Sequence, residues 1–276
     1  MNNPFEPPRS APRRLGPPSS GPQGTGTLDI SRSVSDAWSA LTRNLGVLWL
    51  SFLVLIVTIS ASVLACVLPV LVVGPVVAWG YQRLLLQAHD GEASLNTLFE
   101  GFQDVGSVWI RMVGIALSLG ALTVAVVGVL AGFVGLGYAV ADTTGLVLGL
   151  LLALPVFLAF LVVLLRFQFA TPMIVDAPIG PLDALSRSWE ETAPVWLTLV
   201  LQVLAIFAIS VVINLGQTIV LLPIQLGLAA LGEEAAILGV ILSAIVSLAI
   251  TPLTSAFTSL MLMSAYRQVV GSLQAD

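Results

Sequence analysis

Hydrophobic positions along this chain form long uninterrupted stretches, separated by short polar segments. Six stretches are long enough for a helix to cross the hydrocarbon core of a bilayer, which takes about 20 residues. A short apolar segment at 223–231 is compatible with a helical extension, an interfacial helix or a re-entrant piece. The pattern predicts an all-α, polytopic integral membrane protein with six transmembrane helices. Their expected limits are 46–66, 69–87, 108–136, 146–169, 195–222 and 235–266.

Composition supports a membrane environment and offers little chemistry. The 276 residues are 57% hydrophobic and only 9% charged. A single histidine, His89, argues against a histidine-based metal site, and a single cysteine, Cys66, excludes an intrachain disulfide. No catalytic, metal-binding or nucleotide-binding motif stands out. We therefore expect no enzymatic activity, no cofactor and no nucleic-acid partner.

The basic residues indicate how the chain is oriented. All ten are arginines, and they lie in the N-terminal region, in the turns after the second and fourth stretches, and after the sixth. The turns after the odd stretches carry Asp142, Glu233 and Glu234 and no arginine. Because cytoplasmic loops are enriched in arginine and lysine, both termini are predicted to be cytoplasmic, in a multi-pass protein of the cytoplasmic membrane.

Residues 1–28 have the composition of a disordered tail. They hold seven prolines together with glycines, serines and three arginines, and they lack the apolar core of a signal peptide. The segment is interpreted as a cytoplasmic linker whose arginines help to set orientation. The alternative is that its proline-rich stretches dock a protein partner in the polyproline conformation.

A threefold internal repeat organises the remaining residues, 29–276. A short amphipathic segment precedes each odd stretch, and the three copies align without gaps. The unit is thus one amphipathic helix and two spans, with limits near 29–90, 91–178 and 179–276. The aligned positions hold Asp36, Asn96 and Asp183, then Trp38, Leu98 and Leu185, and finally Trp49, Trp109 and Trp196. The ends of the even stretches match as well, with Tyr81-Gln82, Phe167-Gln168 and Tyr266-Arg267, and with Asp90 and Asp176 each nine residues farther on.

The repeated unit has a physical interpretation. Its amphipathic helix is expected to lie in the headgroup plane with its apolar face toward the bilayer. The three tryptophans that open the spans, Trp49, Trp109 and Trp196, are predicted to be interfacial anchors, because the indole ring favours that depth. A ligand cage made by these tryptophans is the alternative.

Residues 183–189, Asp-Ala-Leu-Ser-Arg-Ser-Trp, followed by Trp196, resemble the motif of a bacterial membrane-protein family. That family includes the membrane domain attached to some glycerophosphodiester phosphodiesterases and related six-span proteins without assigned activity. The resemblance implies a six-span arrangement in a bacterial cytoplasmic membrane. It implies no catalytic residue, because the phosphodiesterase domain has no counterpart in this chain.

Small and hydroxyl-bearing residues recur every fourth position in the sixth stretch. Such a stripe lets another helix approach closely, so it is predicted to be a packing face. The alternative is a polar lining for a transport path. The residues are Gly239, Ser243, Ser247, Thr251, Ser255 and Ser259. Asn214, Gln217 and Gln225 form the accompanying amide cluster.

Charged residues all fall near the ends of the stretches, so no ion-pair site is expected within the membrane. Arg111 and Arg166 lie deepest, and both are expected to extend toward the headgroups. The alternative is that they bind anionic lipid or a phosphate group.

These patterns predict an accessory, scaffold or lipid-organising component of the membrane. Its partners would be membrane lipids and, through the tail or the interfacial helices, another protein. A transporter or channel for a small or lipid-like solute is the alternative, supported by the repeat, the prolines inside the spans and the hydroxyl stripe.

Overall fold

The computed structural model describes residues 27–64 and 67–271, and all regular structure within these ranges is helical. The predicted tail lies outside the described residues up to position 26, as does Cys66. The α-helices are α1 Ile30–Arg43, α2 Leu45–Leu64, α3 Val67–Asp90, α4 Val105–Phe167, α5 Ala170–Asp176, α6 Pro181–Thr192, α7 Trp196–Ala230 and α8 Glu233–Val269. Two 3-10 segments, Leu95–Asp104 and Ala193–Val195, precede α4 and α7.

Helix α4 folds back on itself as a hairpin, although every residue from Val105 to Phe167, including those of the turn, has a helical backbone. Gly137 packs so tightly against the backbone of Gly145 that a methyl group on its Cα would clash, and Gly149 packs in the same way against Phe133. In a straight helix residues 133 and 149 would lie about 24 Å apart. The chain therefore folds back between the segments Leu95–Val140 and Thr143–Asp176, where a turn was predicted.

Several helices are long and apolar enough to cross a membrane. Five segments meet this condition in the described residues, or up to six if α1 and α2, which are bent by 83° at Asn44, form one span. The predictions of an all-helical chain and of several possible membrane helices are confirmed. Along the described chain α1 precedes α2 and α3, the first 3-10 segment precedes the α4 hairpin, and α5, α6 and the second 3-10 segment precede α7 and α8.

Segment 223–231 continues a helix. Helix α7 runs through Pro223 to Ala230, so the helical extension is the correct one of the three alternatives. The chain then turns at Gly232, whose φ of 119° is a conformation that glycine adopts without strain.

Buried residues concentrate at one end of the molecule, where α1, the first 3-10 segment, α5 and α6 surround the ends of the long helices. We call this region the packed end; it comprises residues 29–48, 76–115, 166–202 and 253–271. The rest, which we call the apolar arms, comprises residues 49–64, 67–75, 116–165 and 203–252. Most large apolar side chains of the arms are exposed, as at Val124, Leu151 and Val212.

Candidate functional site

Arg267 lies at the centre of a buried ion cluster in the packed end. Its Nη2 pairs with Oδ2 of Asp90 at 2.6 Å, and its Nη1 pairs with Oδ2 of Asp176 at 2.7 Å. The hydroxyl of Tyr266 donates to the same Asp176 oxygen at 3.0 Å. The side chains of Arg267 and Asp176 are only 7% and 3% exposed, so water screens this pair weakly. The cluster ties together the ends of α3, α5 and α8.

Two further arginines meet the carboxyl end of α5. Nη1 of Arg111 donates to the carbonyl oxygen of Ile174 at 3.4 Å, and Nη1 of Arg83 donates to that of Val175 at 3.5 Å. The last carbonyls of a helix have no partner within it and attract positive charge. Arginines from α3, α4 and α8 thus converge on the last three residues of α5. Arg83 also pairs with Glu100 of the 3-10 segment at 2.7 Å.

Buried amides hold α1 at both of its ends. The Gln268 side chain accepts from the backbone N–H of Asp29 at 2.8 Å and donates to Oγ of Ser33 at 3.1 Å. At the other end, the Asn44 side chain donates to the carbonyl of Gly91 at 3.1 Å and accepts from the N–H of Ala93 at 2.8 Å. The bend between α1 and α2 is therefore fixed by hydrogen bonds to the segment that follows α3.

Arg166 is engaged by α6. Its guanidinium carbon lies 3.6 Å from the centroid of the Trp189 ring, and an Nη donates to the Trp189 carbonyl. Ser188 donates to the carbonyl of Arg166 at 2.7 Å. Arg111 and Arg166, the predicted lipid-headgroup contacts, both have protein partners, and their contact with lipid stays a prediction.

The three predicted anchor tryptophans lie in different surroundings. The indole N–H of Trp109 donates to the carbonyl of Leu71 at 2.8 Å. Pro75, four residues farther along α3, has no N–H to offer that carbonyl, so Trp109 supplies the missing donor. Trp49 is half-buried and Trp196 is 45% exposed. Their interfacial role stays a prediction.

The first half of the hydroxyl stripe on α8 faces the amides of α7. Nε2 of Gln217 donates to Oγ of Ser247 at 2.8 Å, and Nε2 of Gln225 donates to Oγ of Ser243. Gly239 packs against Leu228 of α7. Farther along α8, Thr251 and Ser255 line a cavity, and Ser259 is half-buried. The stripe thus has hydrogen-bonded contacts to α7 at one end and an open lining at the other.

A groove runs along α7 and α8 in three connected sections, and we call it the α7–α8 groove. The section toward the α7–α8 turn has a volume of about 290 Å³ and the middle section about 210 Å³, and Asn214, Gln217 and Thr251 line both. The third section, about 500 Å³, adjoins the middle one through Ile213, Ile250 and Thr254 and extends to α1. Amides and hydroxyls line much of the first two sections, whereas the third is almost wholly apolar.

The model of one protein family, a domain of unknown function designated DUF7847, matches residues 28–269. The chain belongs to this family. No curated protein and no solved structure matches the chain. In this DUF7847 protein the family match covers the packed end and the arms together, so it extends over every contact described above.

The sequence analysis did not predict the Arg267 cluster of the DUF7847 chain, and its expectation that no ion-pair site lies within the membrane stays a prediction. Asp90 and Asp176 hold equivalent repeat positions, and Arg267 closes the last unit, so the repeat itself carried the signal. The amides Asn44 and Gln268 gave no such signal. Across residues 27–64 and 67–271, no three histidine, cysteine or acidic side chains are grouped so that they could hold a metal ion.

Proposed function

We propose that this DUF7847 protein is a six-span integral protein of a bacterial cytoplasmic membrane that acts as a non-enzymatic accessory, scaffold or lipid-organising component. It consists of three repeated units and has both termini in the cytoplasm. The relation to the membrane domain attached to some glycerophosphodiester phosphodiesterases is part of the proposal and rests on the α6 segment 183–189.

The observation that supports this proposal is the division of the molecule into a packed end and apolar arms. Soluble monomers rarely expose such continuous apolar surface, whereas lipid accommodates it. The packed end is cross-linked by the Arg267 cluster and by the amides that hold α1. It therefore offers a rigid surface at one side of the membrane, which is what a scaffold needs.

Orientation follows from the charges on the two sides. The packed end carries Arg83, Arg111, Arg166 and Arg267, and the turn at the opposite end of α7 and α8 carries Glu233 and Glu234. The positive-inside rule counts arginine and lysine rather than net charge, so the side that carries the arginines faces the cytoplasm. The exposed polar face of α6, with Arg187 and Glu190, is then available to a cytoplasmic protein partner.

Transport of a small or lipid-like solute is the second candidate, and the α7–α8 groove favours it. Polar side chains in the middle of apolar helices are costly and commonly functional. Asn214 and Thr218 are exposed, so the groove is open along one side. A laterally open groove suits a molecule that arrives from the bilayer better than one that passes through a closed pore.

Cysteine labelling in intact cells tests insertion and orientation. In a Cys66→Ser background, Glu233→Cys should react with a membrane-impermeant maleimide added outside. Ser186→Cys, on the exposed face of α6, should react only after the cells are permeabilised. The reverse result would overturn the orientation, and recovery of the protein in the soluble fraction would overturn the proposal as a whole.

Native mass spectrometry of the gently extracted protein then separates the two functions. A stoichiometric protein partner that is lost in an Arg187→Glu, Glu190→Arg variant supports the scaffold function. Solute flux in reconstituted vesicles, abolished by Gln217→Leu but not by those α6 changes, would contradict it in favour of transport.

A further inference from the structure

We infer that the α7–α8 groove binds a membrane amphiphile whose head group is uncharged and rich in hydroxyls, a glycolipid of the outer leaflet. The inference deepens the proposed lipid-organising function and rests on it, because the arms must lie in a bilayer. It assigns the polar sections to the head group and the apolar section to a hydrocarbon chain.

The chemistry of the polar sections favours a neutral head group. Their polar lining consists of carboxamides and hydroxyls, and none of the residues that line the three sections is charged. Phosphate and carboxylate groups are recognised mainly by arginine, lysine or clustered backbone N–H groups. Sugar and glycerol hydroxyls both donate and accept hydrogen bonds, as carboxamides do.

The amides in the groove retain capacity for a ligand. Gln217 donates to Ser247, Gln225 donates to Ser243, and Asn214 donates to the carbonyl of Ser210 at 2.7 Å. Each of these bonds uses one N–H, whereas a carboxamide carries two N–H donors and an acceptor oxygen. Hydrocarbon offers no partner for the rest, so a polar occupant stabilises this surface.

The apolar section fits a hydrocarbon chain. Its volume of about 500 Å³ lies within the range of small-molecule sites, roughly 300–1,000 Å³. Leu41 and Leu45 form one wall, Ile209 belongs to α7, and Leu253 and Phe257 belong to α8. A small hydrophilic solute would leave this section without a matching occupant, whereas an amphiphile fills both parts.

The order of the sections indicates which leaflet supplies the ligand. From Gln225 to Ile209 the groove follows 16 residues of α7, or about 24 Å of helix. The polar part is nearer the turn that carries Glu233 and Glu234, and the apolar part is nearer α1. With the packed end on the cytoplasmic side, a lipid in the groove has its head toward the outer surface and its chain toward the packed end.

Lipid retention measured by native mass spectrometry tests the inference. The full-length protein is reconstituted into nanodiscs of phosphatidylcholine that contain equal small fractions of diglucosyl-diacylglycerol and phosphatidylglycerol, then released and analysed. The wild type should retain diglucosyl-diacylglycerol in preference to phosphatidylglycerol. Gln217→Leu should weaken that retention roughly three- to tenfold, as expected for one lost hydrogen bond.

Matched variants separate the groove from the rest of the surface. Ile213→Trp places a large ring where the polar and apolar sections meet, and should reduce glycolipid retention. Two variants serve as controls: Ile219→Trp alters an exposed position of α7 outside the lining, and Thr123→Val removes an exposed hydroxyl of α4. Neither control should change glycolipid retention.

Three results would overturn the inference. The first is equal retention of both lipids. The second is glycolipid retention that neither Gln217→Leu nor Ile213→Trp changes. The third is a dimer of this chain that Gln217→Leu dissociates, because the groove would then be an interface between copies. Cysteine labelling of the same variants in intact cells shows whether a failed test concerns the glycolipid or the proposed function. A protein that inserts correctly but retains no glycolipid overturns only the inference, whereas one that does not insert overturns the proposed function.

Discussion

The packed end and the apolar arms use similar apolar residues and reach opposite states of burial. Leu85 of α3 is fully buried, whereas Leu151 of α4 is 60% exposed. The difference lies in the polar residues around them. In the packed end Arg267, Asn44 and Gln268 bond across helices, and the arms offer such bonds mainly where α7 meets α8.

This contrast has a physical cause. Lipid tails are as apolar as leucine, so hydrophobicity alone does not pull membrane helices together. Hydrogen bonds, close packing of small residues and ion pairs must hold them instead. The packed end has hydrogen bonds, close packing of small residues and ion pairs. Within the arms, the Gly137–Gly149 contact of the α4 hairpin is an example of close packing of small residues.

The largest expected effect comes from removing the centre of the ion cluster. Arg267→Met leaves Asp176 buried without its cation and should lower the free energy of unfolding by about 3–5 kcal/mol. Unfolding with sodium dodecyl sulfate in mixed micelles measures the change. Arg187→Met, an exposed arginine of α6, is the control. Adding Asp90→Asn and Asp176→Asn to Arg267→Met should recover stability, and no recovery would show that the ion pairs are not the cause.

A leucine pair tests the comparison directly. Leu85→Ala should cost about 2–5 kcal/mol, because it removes buried contacts and leaves a cavity. Leu151→Ala should change stability by no more than about 0.5 kcal/mol, as at other exposed positions. The same unfolding titration serves both variants. Equal losses would mean that the arms are as tightly packed as the opposite end.

An effect smaller than that of Leu85→Ala is expected at the boundary between the two regions. Trp109→Phe removes the indole N–H that serves the Leu71 carbonyl next to Pro75, and should cost about 1 kcal/mol. Trp196→Phe changes the equivalent, more exposed tryptophan of the third unit and should cost less. Thermal unfolding in detergent can compare the two, and a larger effect at Trp196 would contradict the assigned role of Trp109.

Much of the fold was predictable because hydrophobic length and small turn residues act locally. The long apolar helices, the turn of α4 near 140–145 and the amide cluster on α7 follow from residue order alone. The conformation of segment 223–231 did not follow from residue order, since Pro223 is compatible with either a break or a continued helix. The roles of Arg83 and Arg111 were missed as well, because their carbonyl partners on α5 are distant in sequence.

Residue order by itself determined where the long helices lie and where α4 turns back, because both depend on continuous runs of similar residues. It also determined which end of the molecule collects the arginines, because they lie at alternate ends of those runs. Tertiary structure alone decided that Arg267 would meet Asp90 and Asp176, that Trp109 would serve the carbonyl beside Pro75, and that α7, α8 and α1 would share one groove. These contacts join residues far apart in the chain. Their energies depend on distance, burial and direction, and none of these quantities is set until the helices have packed.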